Sequence, residues 1–262
     1  GVVIGGGLLG LEAAKALRDL NLDTHVVEFA PRLMAVQIDD LGGKVLKAKI
    51  ENLGVKVHTQ KATSSIEAGT SSTHVMKFAD GSELETDIVL FSAGIRPRDE
   101  LARQSGLAMG ERGGIVINDY CQTSNVDVYA IGECALWQNK IYGLVAPGYD
   151  MARIAAKHVI DQQCNAFAGA DMSTKLKLMG VDVASVGDAH AMTPNALSYF
   201  YADEAAMVYK KIVVNHDKTK LLGAVLVGCA QEYNDLLQMM LNGLALPECP
   251  ESLIMPGFAD AP

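Results

Sequence analysis

The 262-residue sequence lacks paired cysteines, clustered basic residues and long apolar runs, and each absence excludes a class of protein. Its five cysteines, Cys121, Cys134, Cys164, Cys229 and Cys249, are scattered, and no two share a C-x-x-C spacing. That leaves no zinc, iron–sulfur or redox-dithiol pattern within the chain and reads as reduced thiols of a cytoplasmic protein. No apolar stretch approaches the roughly 18 residues of a membrane span, and nothing reads as a signal peptide. Against 31 Asp and Glu there are only 22 Lys and Arg, a formal net charge of −9. A nucleic-acid partner is therefore not expected, because phosphate neutralisation needs clustered cations. The six histidines show no ligand spacing, so no metal site is expected either.

What the chain does have is an opening stretch, GVVIGGGLLG. Residues 2–5 are apolar and β-branched and lead straight into Gly5-x-Gly7-x-x-Gly10. Beyond the turn, Leu9, Ala13, Ala16, Leu17 and Leu20 follow helical spacing, so a helix is expected from Gly10. Strand, tight turn and helix in that order are the setting of a dinucleotide-binding turn. The first glycine permits the turn, the second lets the backbone approach a pyrophosphate, and the third lets helix and strand pack closely. The pyrophosphate would sit on the N–H groups of the helix start, with Leu8 and Leu9 beside it. Glu28, at the end of a second strand over residues 24–28, has the position of a carboxylate that accepts from the adenosine ribose. A 2′-phosphate there would meet like charge, which favours NAD(H). Arg32, four residues on, could tolerate that phosphate and keeps NADP(H) open.

Further along, a helix is expected over residues 39–53 with Gly54 as its stop, then a strand over 55–60. β segments at 63–66 and His74–Phe78 carry Asp80-Gly81 as a hairpin signal. The run 88–91 is apolar enough for a strand covered on both faces. Residues 1–96 thus read as a Rossmann-like α/β NAD-binding domain with an inserted β meander. After it, 113–117 and 128–132 read as strand endings and 148–162 as a helix. The small, polar stretch NAFAGADMSTK marks a boundary. Several strands and a closing helix over 231–246 then make a C-terminal α+β domain at 173–250.

These residues resemble the two-dinucleotide flavoprotein reductases of the pyridine-nucleotide disulfide oxidoreductase family. GGGLLGLEAA is similar to the opening of that family's NAD domain, which implies that Glu12 lies toward the nicotinamide. FSAGIRP is similar to the return from that domain, with Gly94 close to the bound nucleotide. TSNVDVYAIGECA resembles the family's second flavin motif and implies that Gly132 and Glu133 meet the flavin ribityl chain, Glu133 standing where the family usually carries Asp. Residues 97–168 would then be the C-terminal part of an FAD-binding domain.

VVEFAPRLMAVQIDDLGG, YAIGECALWQNKIYGLVAPGYDMA, TKLKLMGVDVASVGD and LLGAVLVGCAQEYNDLLQMMLNGLALPECPESLIMP extend the resemblance over essentially the whole chain, to the NAD(P)H-dependent, nitrite-reducing branch of the family. That implies an oxidoreductase fragment in which NADH reduces FAD. In the parent polypeptide, electrons would pass through iron–sulfur centres to sirohaem, both outside these residues, as is the first FAD half-domain. The partners implied are NADH, FAD, the missing domains of the same polypeptide, and a small subunit or a second copy. The hard chemistry would belong to the cofactors, so no catalytic side chain is expected. With a single GxGxxG the chain is expected to hold FAD poorly. A ferredoxin- or rubredoxin-reductase-like flavoprotein and a non-catalytic nucleotide-sensing module remain the alternatives.

Overall fold

A computed structural model describes residues 1–161 and 164–256. It opens with β1 (Val2–Ile4), α1 (Leu8–Asp19), β2 (Thr24–Val27), α2 (Asp40–Asn52) and β3 (Val55–His58). An antiparallel meander follows, β4 (Thr63–Ala68), β5 (His74–Phe78) and β6 (Glu83–Thr86), and then β7 (Val89–Phe91). β7 returns to the first sheet, which is parallel and ordered β3-β2-β1-β7. This is the α/β arrangement with an inserted meander that the sequence suggests.

Two details differ from the expectation. α1 starts at Leu8, before Gly10, because Gly7 is already extended (φ −82°, ψ −173°) and occupies the N-cap. Its buried stripe is Gly10, Leu11, Ala14 and Leu17, whereas Leu9 and Leu20 are 63% and 71% exposed. The stripe is shifted from the expected one because the helix crosses the end of β1 at Gly10, which puts Leu11, Ala14 and Leu17 on the inner side. β7 is not covered on both faces: it is the end strand of its sheet, and Phe91 is 72% exposed. At the start of α2, by contrast, the Asp39 carboxylate accepts from the Gly42 N–H at 3.0 Å, and Gly54 (φ +88°) follows its end as expected.

Contacts divide the chain into two compact units, Ile95–Met172 and the remainder, Gly1–Gly94 with the segment from Ser173 onward. The first of these holds α3 (Glu100–Gln104), β8 (Ile115–Ile117), β9 (Ala135–Trp137) and α4 (Val145–Ile160). β8 and β9 pair in parallel over a core that includes Met151, Trp137, Tyr142 and Phe167. The strand expected at 128–132 does not form. Tyr129 makes only an isolated bridge to Gln122, Gly132 (φ +74°) breaks the extended backbone, and pairing resumes at Ala135. α4 begins at Val145, three residues earlier than expected, since Pro147 is tolerated in a first turn where its missing N–H has no partner to lose. Gln162, the expected helix end, lies outside the described residues.

From Ser173 the other unit continues with β10 (Thr174–Leu178), β11 (Val181–Gly187), β12 (Leu197–Asp203), β13 (Val208–Val214), β14 (Leu221–Val227) and α5 (Tyr233–Leu241). The strands form one antiparallel sheet, ordered β10-β11-β14-β13-β12. One face packs Val186, Ile212 and Leu226 against Leu236 of α5. The opposite face places Val183, Tyr209 and Val225 in one core with Leu11, Met34, Leu46 and Ile50. The C-terminal sheet is thus packed on the outside of α2, where it completes the core begun by the parallel sheet. α5 ends at Leu241, short of the expected 246, because Gly243 (φ +59°) turns the chain so that the Leu244 N–H reaches the Met239 carbonyl at 3.0 Å.

Candidate dinucleotide site

The carboxyl ends of β1, β2 and β7 lie side by side, since Ile4 is in register with both Val27 and Phe91. Residues just beyond those ends therefore share one edge of the sheet, the place where open α/β sheets bind ligands. Gly5, Glu28 and Gly94 stand there. Gly5 (φ +116°) donates its N–H to the Val27 carbonyl at 2.8 Å, and a Cβ on it would collide with the Ser92 carbonyl oxygen. A Cβ on Gly10 would collide with the Gly5 carbonyl oxygen, so the third glycine is what allows α1 to pack this closely.

Gly7 is the exception, because nothing lies within 4 Å of where its Cβ would be. No side chain caps α1, and no acidic residue stands in its first turn. The first N–H groups of an α-helix have no partner within it, and they carry the positive end of its dipole. Open space beside Gly7, backed by those donors, suits the pyrophosphate of a dinucleotide. Leu8 is half-buried, and Leu9 and Glu12 are exposed on the same helix.

The Glu28 carboxylate is turned back onto this turn. Its Oε2 accepts the Gly6 N–H and its Oε1 the Ala30 N–H, each at 2.6 Å. An ionised carboxylate has about four acceptor positions, so two remain for ribose hydroxyls. Arg32 points elsewhere: its Nε donates to the Ile38 carbonyl at 2.9 Å and its Nη1 to Asp40 at 2.6 Å. Gly94 has a left-handed backbone (φ +92°) with open space on its Cβ side. Sequence reasoning missed Gly6, Leu33, Met34 and Ser92. The Met34 N–H donates to the Gly6 carbonyl at 2.9 Å, and Leu33 packs where a Gly6 side chain would stand. The small residues at Gly6 and Ser92 were the available signal.

In the Ile95–Met172 unit, Gly132 and Glu133 lie in a 3-10 turn, with Glu133 exposed and open space on the Cβ side of Gly132. The Gly132 N–H points to the Met151 sulfur at 3.3 Å, and a Cβ on Gly148 would lie 3.3 Å from the Gly132 Cα. Gly148 and Met151, three apart on α4, thus seat the turn against the first turns of that helix, whose N-terminus has no side-chain cap. Their i, i+3 spacing was legible but unread. Among the thiols, burial pushes Cys121 up to about 11, which keeps it protonated and unreactive at neutral pH. No helix of the described residues is long and apolar enough to cross a membrane.

Residues 1–168 match the family described as pyridine nucleotide-disulphide oxidoreductase, and residues 173–244 match the rubredoxin NAD+ reductase C-terminal domain. The chain is 59% identical over 260 residues to the nitrite reductase (NADH) large subunit of Escherichia coli (strain K12), which covers 99% of this chain and 31% of that protein. It is 62% identical over 258 residues to the nitrite reductase NAD(P)H large subunit of Klebsiella oxytoca, covering 98% and 27%. The chain therefore spans less than a third of the length of these two relatives. Among solved structures, a NAD-dependent persulfide reductase from A. fulgidus is 25% identical with a TM-score of 0.78, over 93% of this chain and 49% of that one. A ferredoxin reductase from Rhodopseudomonas palustris, 23% identical over 98% of this chain and 62% of that one, shares the fold with a TM-score of 0.81. Since the family match runs through every element that builds both glycine-bearing turns, the chain belongs to the pyridine nucleotide-disulphide oxidoreductase family.

Proposed function

We propose that this chain is the NADH-binding part of a flavoprotein reductase, one that passes reducing equivalents from NADH to FAD and feeds nitrite reduction to ammonia in a longer polypeptide. The observation that carries the reading is the seating of Glu28 on the Gly6 N–H, beside the open side of Gly7. Gly7 and the first N–H groups of α1 hold the pyrophosphate, and the free lone pairs of Glu28 take the adenosine ribose hydroxyls. A 2′-phosphate would meet the Glu28 charge, and Arg32, engaged with Ile38 and Asp40, is turned away from it. NADH is therefore favoured over NADPH. Glu12 stands toward the nicotinamide and Gly94 lets the nucleotide pass close to the backbone. Gly132 and Glu133, with the uncapped start of α4, hold the flavin ribityl chain.

When bound, the nicotinamide and the flavin supply the hydride transfer, and the protein supplies binding and orientation. The iron–sulfur centres and sirohaem belong to regions outside these residues, for which the relatives' greater length leaves room. A cytoplasmic location fits the five unpaired cysteines. A small subunit or a second copy is the partner expected of the longer polypeptide.

Calorimetric titration of the purified chain with NADH and NADPH tests the reading. One saturable site that takes NADH more tightly is expected, and no heat from folded protein would overturn it. The match of residues 173–244 to the rubredoxin NAD+ reductase C-terminal domain favours a second reading, in which electrons go to a separate carrier protein. Rapid NADH-dependent reduction of rubredoxin by the FAD-supplemented chain would support that one.

A further inference from the structure

We infer that the C-terminal sheet positions the adenosine end of the nucleotide site, with Tyr209, Lys211 and His190 as positioning residues for NADH. The inference rests on the reading that NADH docks at the glycine turn. Residues 28–39 run from the end of β2 to the cap of α2 without a strand or helix of their own. This segment is built into the turn: Glu28 accepts the Gly6 N–H, the Met34 N–H donates back to Gly6, and Leu33 packs against it. Any displacement of the segment is therefore a displacement of Gly6, between the first and second glycines of the turn, and of the Glu28 carboxylate.

The far end of the segment is held from the C-terminal sheet and from the loop between β11 and β12. His190 Nε2 meets the Val36 carbonyl at 2.8 Å. The Tyr209 hydroxyl donates to Asp39 Oδ2 at 2.8 Å, and the Lys211 ammonium donates to the same oxygen at 3.1 Å. Lys211 also donates to the Ala189 carbonyl at 3.2 Å, next to His190, so one ammonium ties both anchors together. Tyr209 and Lys211 are buried, and hydrogen bonds there are strengthened by the low dielectric around them. Asp39 meanwhile caps α2 through Gly42, which leaves its position with little freedom. Three hydrogen bonds, one on Val36 and two on Asp39, hold the far end of a segment whose backbone bonds to β3 and the residues after it stop at Ala30, and they make the sheet the frame against which Glu28 is aimed.

The test uses the full chain with three variants, Tyr209→Phe combined with Lys211→Met, His190→Ala, and Lys211→Arg. NADH affinity is measured by calorimetry, and amide exchange of residues 29–39 by mass spectrometry. The first two variants are expected to weaken NADH at least about 5-fold and to speed exchange across 29–39, while Lys211→Arg restores both. Variants that melt earlier yet keep wild-type NADH affinity and wild-type exchange at 29–39 would assign these residues to packing alone and overturn the inference. Glu28→Gln is run in parallel. Failure of the unmodified chain to bind NADH sinks the site reading, whereas the exchange measurement judges the anchoring by itself.

Discussion

Glu28 and Gly6 are joined by a 2.6 Å hydrogen bond from the Gly6 N–H to Oε2, while the other oxygen of the same carboxylate takes the Ala30 N–H. One side chain thereby fixes the middle of the glycine turn and the start of the segment after it. Glu28→Gln removes the charge and puts an NH2 group against one of those two donors. NADH binding should weaken about 10- to 100-fold, the range for loss of a charge-assisted hydrogen bond. The preference for NADH over NADPH should narrow as well. Calorimetry with both nucleotides checks this, and an unchanged dissociation constant would show the carboxylate to be structural only.

Gly7 and Gly10 serve different ends, and alanine separates them. At Gly7 the backbone is extended and the Cβ side is open, so Gly7→Ala should fold with stability within about 0.5 kcal/mol of the parent. Its methyl occupies the space proposed for the pyrophosphate, so NADH binding should be lost. At Gly10 the methyl would strike the Gly5 carbonyl, and Gly10→Ala should cost about 1–3 kcal/mol as an overpacked contact. Urea unfolding of the two variants measures the difference. Normal NADH binding by Gly7→Ala would contradict the assignment.

Lys210 on β13 and Glu232 at the start of α5 form an ion pair in which each side chain is only 7% exposed. Removing one partner strands a buried charge, so Glu232→Gln or Lys210→Met should each cost about 3–5 kcal/mol. The double variant Lys210→Met with Glu232→Leu should recover much of that loss, because an apolar pair needs no hydration. Denaturant titration of the three proteins reads it directly. Simple addition of the two single losses would refute the account.

His25 and His58 lie on neighbouring strands with Nδ1 and Nε2 3.0 Å apart and their rings stacked at 12°. Burial is the main reason that both lie below the usual histidine value of 6.5. Asp23 pulls His25 the other way, and His25 itself adds to the lowering of His58, as do Lys61, Lys47 and Lys56. The unfolded chain therefore takes up protons at a higher pH than the folded one. Stability is complete above 6.5 and falls as the pH drops from there toward the lowered folded values. His58→Gln should flatten that fall between pH 7.5 and 5.5 without removing it, since His25 remains. Urea midpoints at the two pH values decide the matter, and an equally steep fall in the variant would rule the pair out as its source.

The parts legible in sequence were those set by local sterics. Gly10 answers to the Gly5 carbonyl, five residues away, and Asp39 announces a helix start by capping its own turn. The apolar strands β11 and β14 are likewise buried almost throughout, as their near-continuous apolar runs suggest. What local pattern could not supply was the identity of the neighbour. The apolar run before Gly94 was read as a buried strand, but its place at the end of the sheet leaves Phe91 in the open. Leu9 and Leu20 looked like the core face of α1, yet the crossing at the end of β1 turned Gly10, Leu11 and Ala14 inward. The guanidinium of Arg32 was free to be imagined on a phosphate until the Ile38 carbonyl and Asp40 were seen to hold it. His190 and Lys211 gave no sign at all, being more than 150 residues from the backbone and carboxylate they anchor.

The shared core between α2 and the C-terminal sheet also sets a timetable. Leu46 and Ile50 finish their packing only when Val225 arrives, and a chain made from its N-terminus reaches that point 175 residues after Ile50. At about 5–20 residues per second, the wait lasts roughly 9–35 s. For that interval a formed α2 would present an apolar face to the cell with nothing yet made to cover it. A nascent chain stalled after the Ile95–Met172 unit would therefore be a natural client of chaperones, even though much of its parallel sheet had already been synthesised.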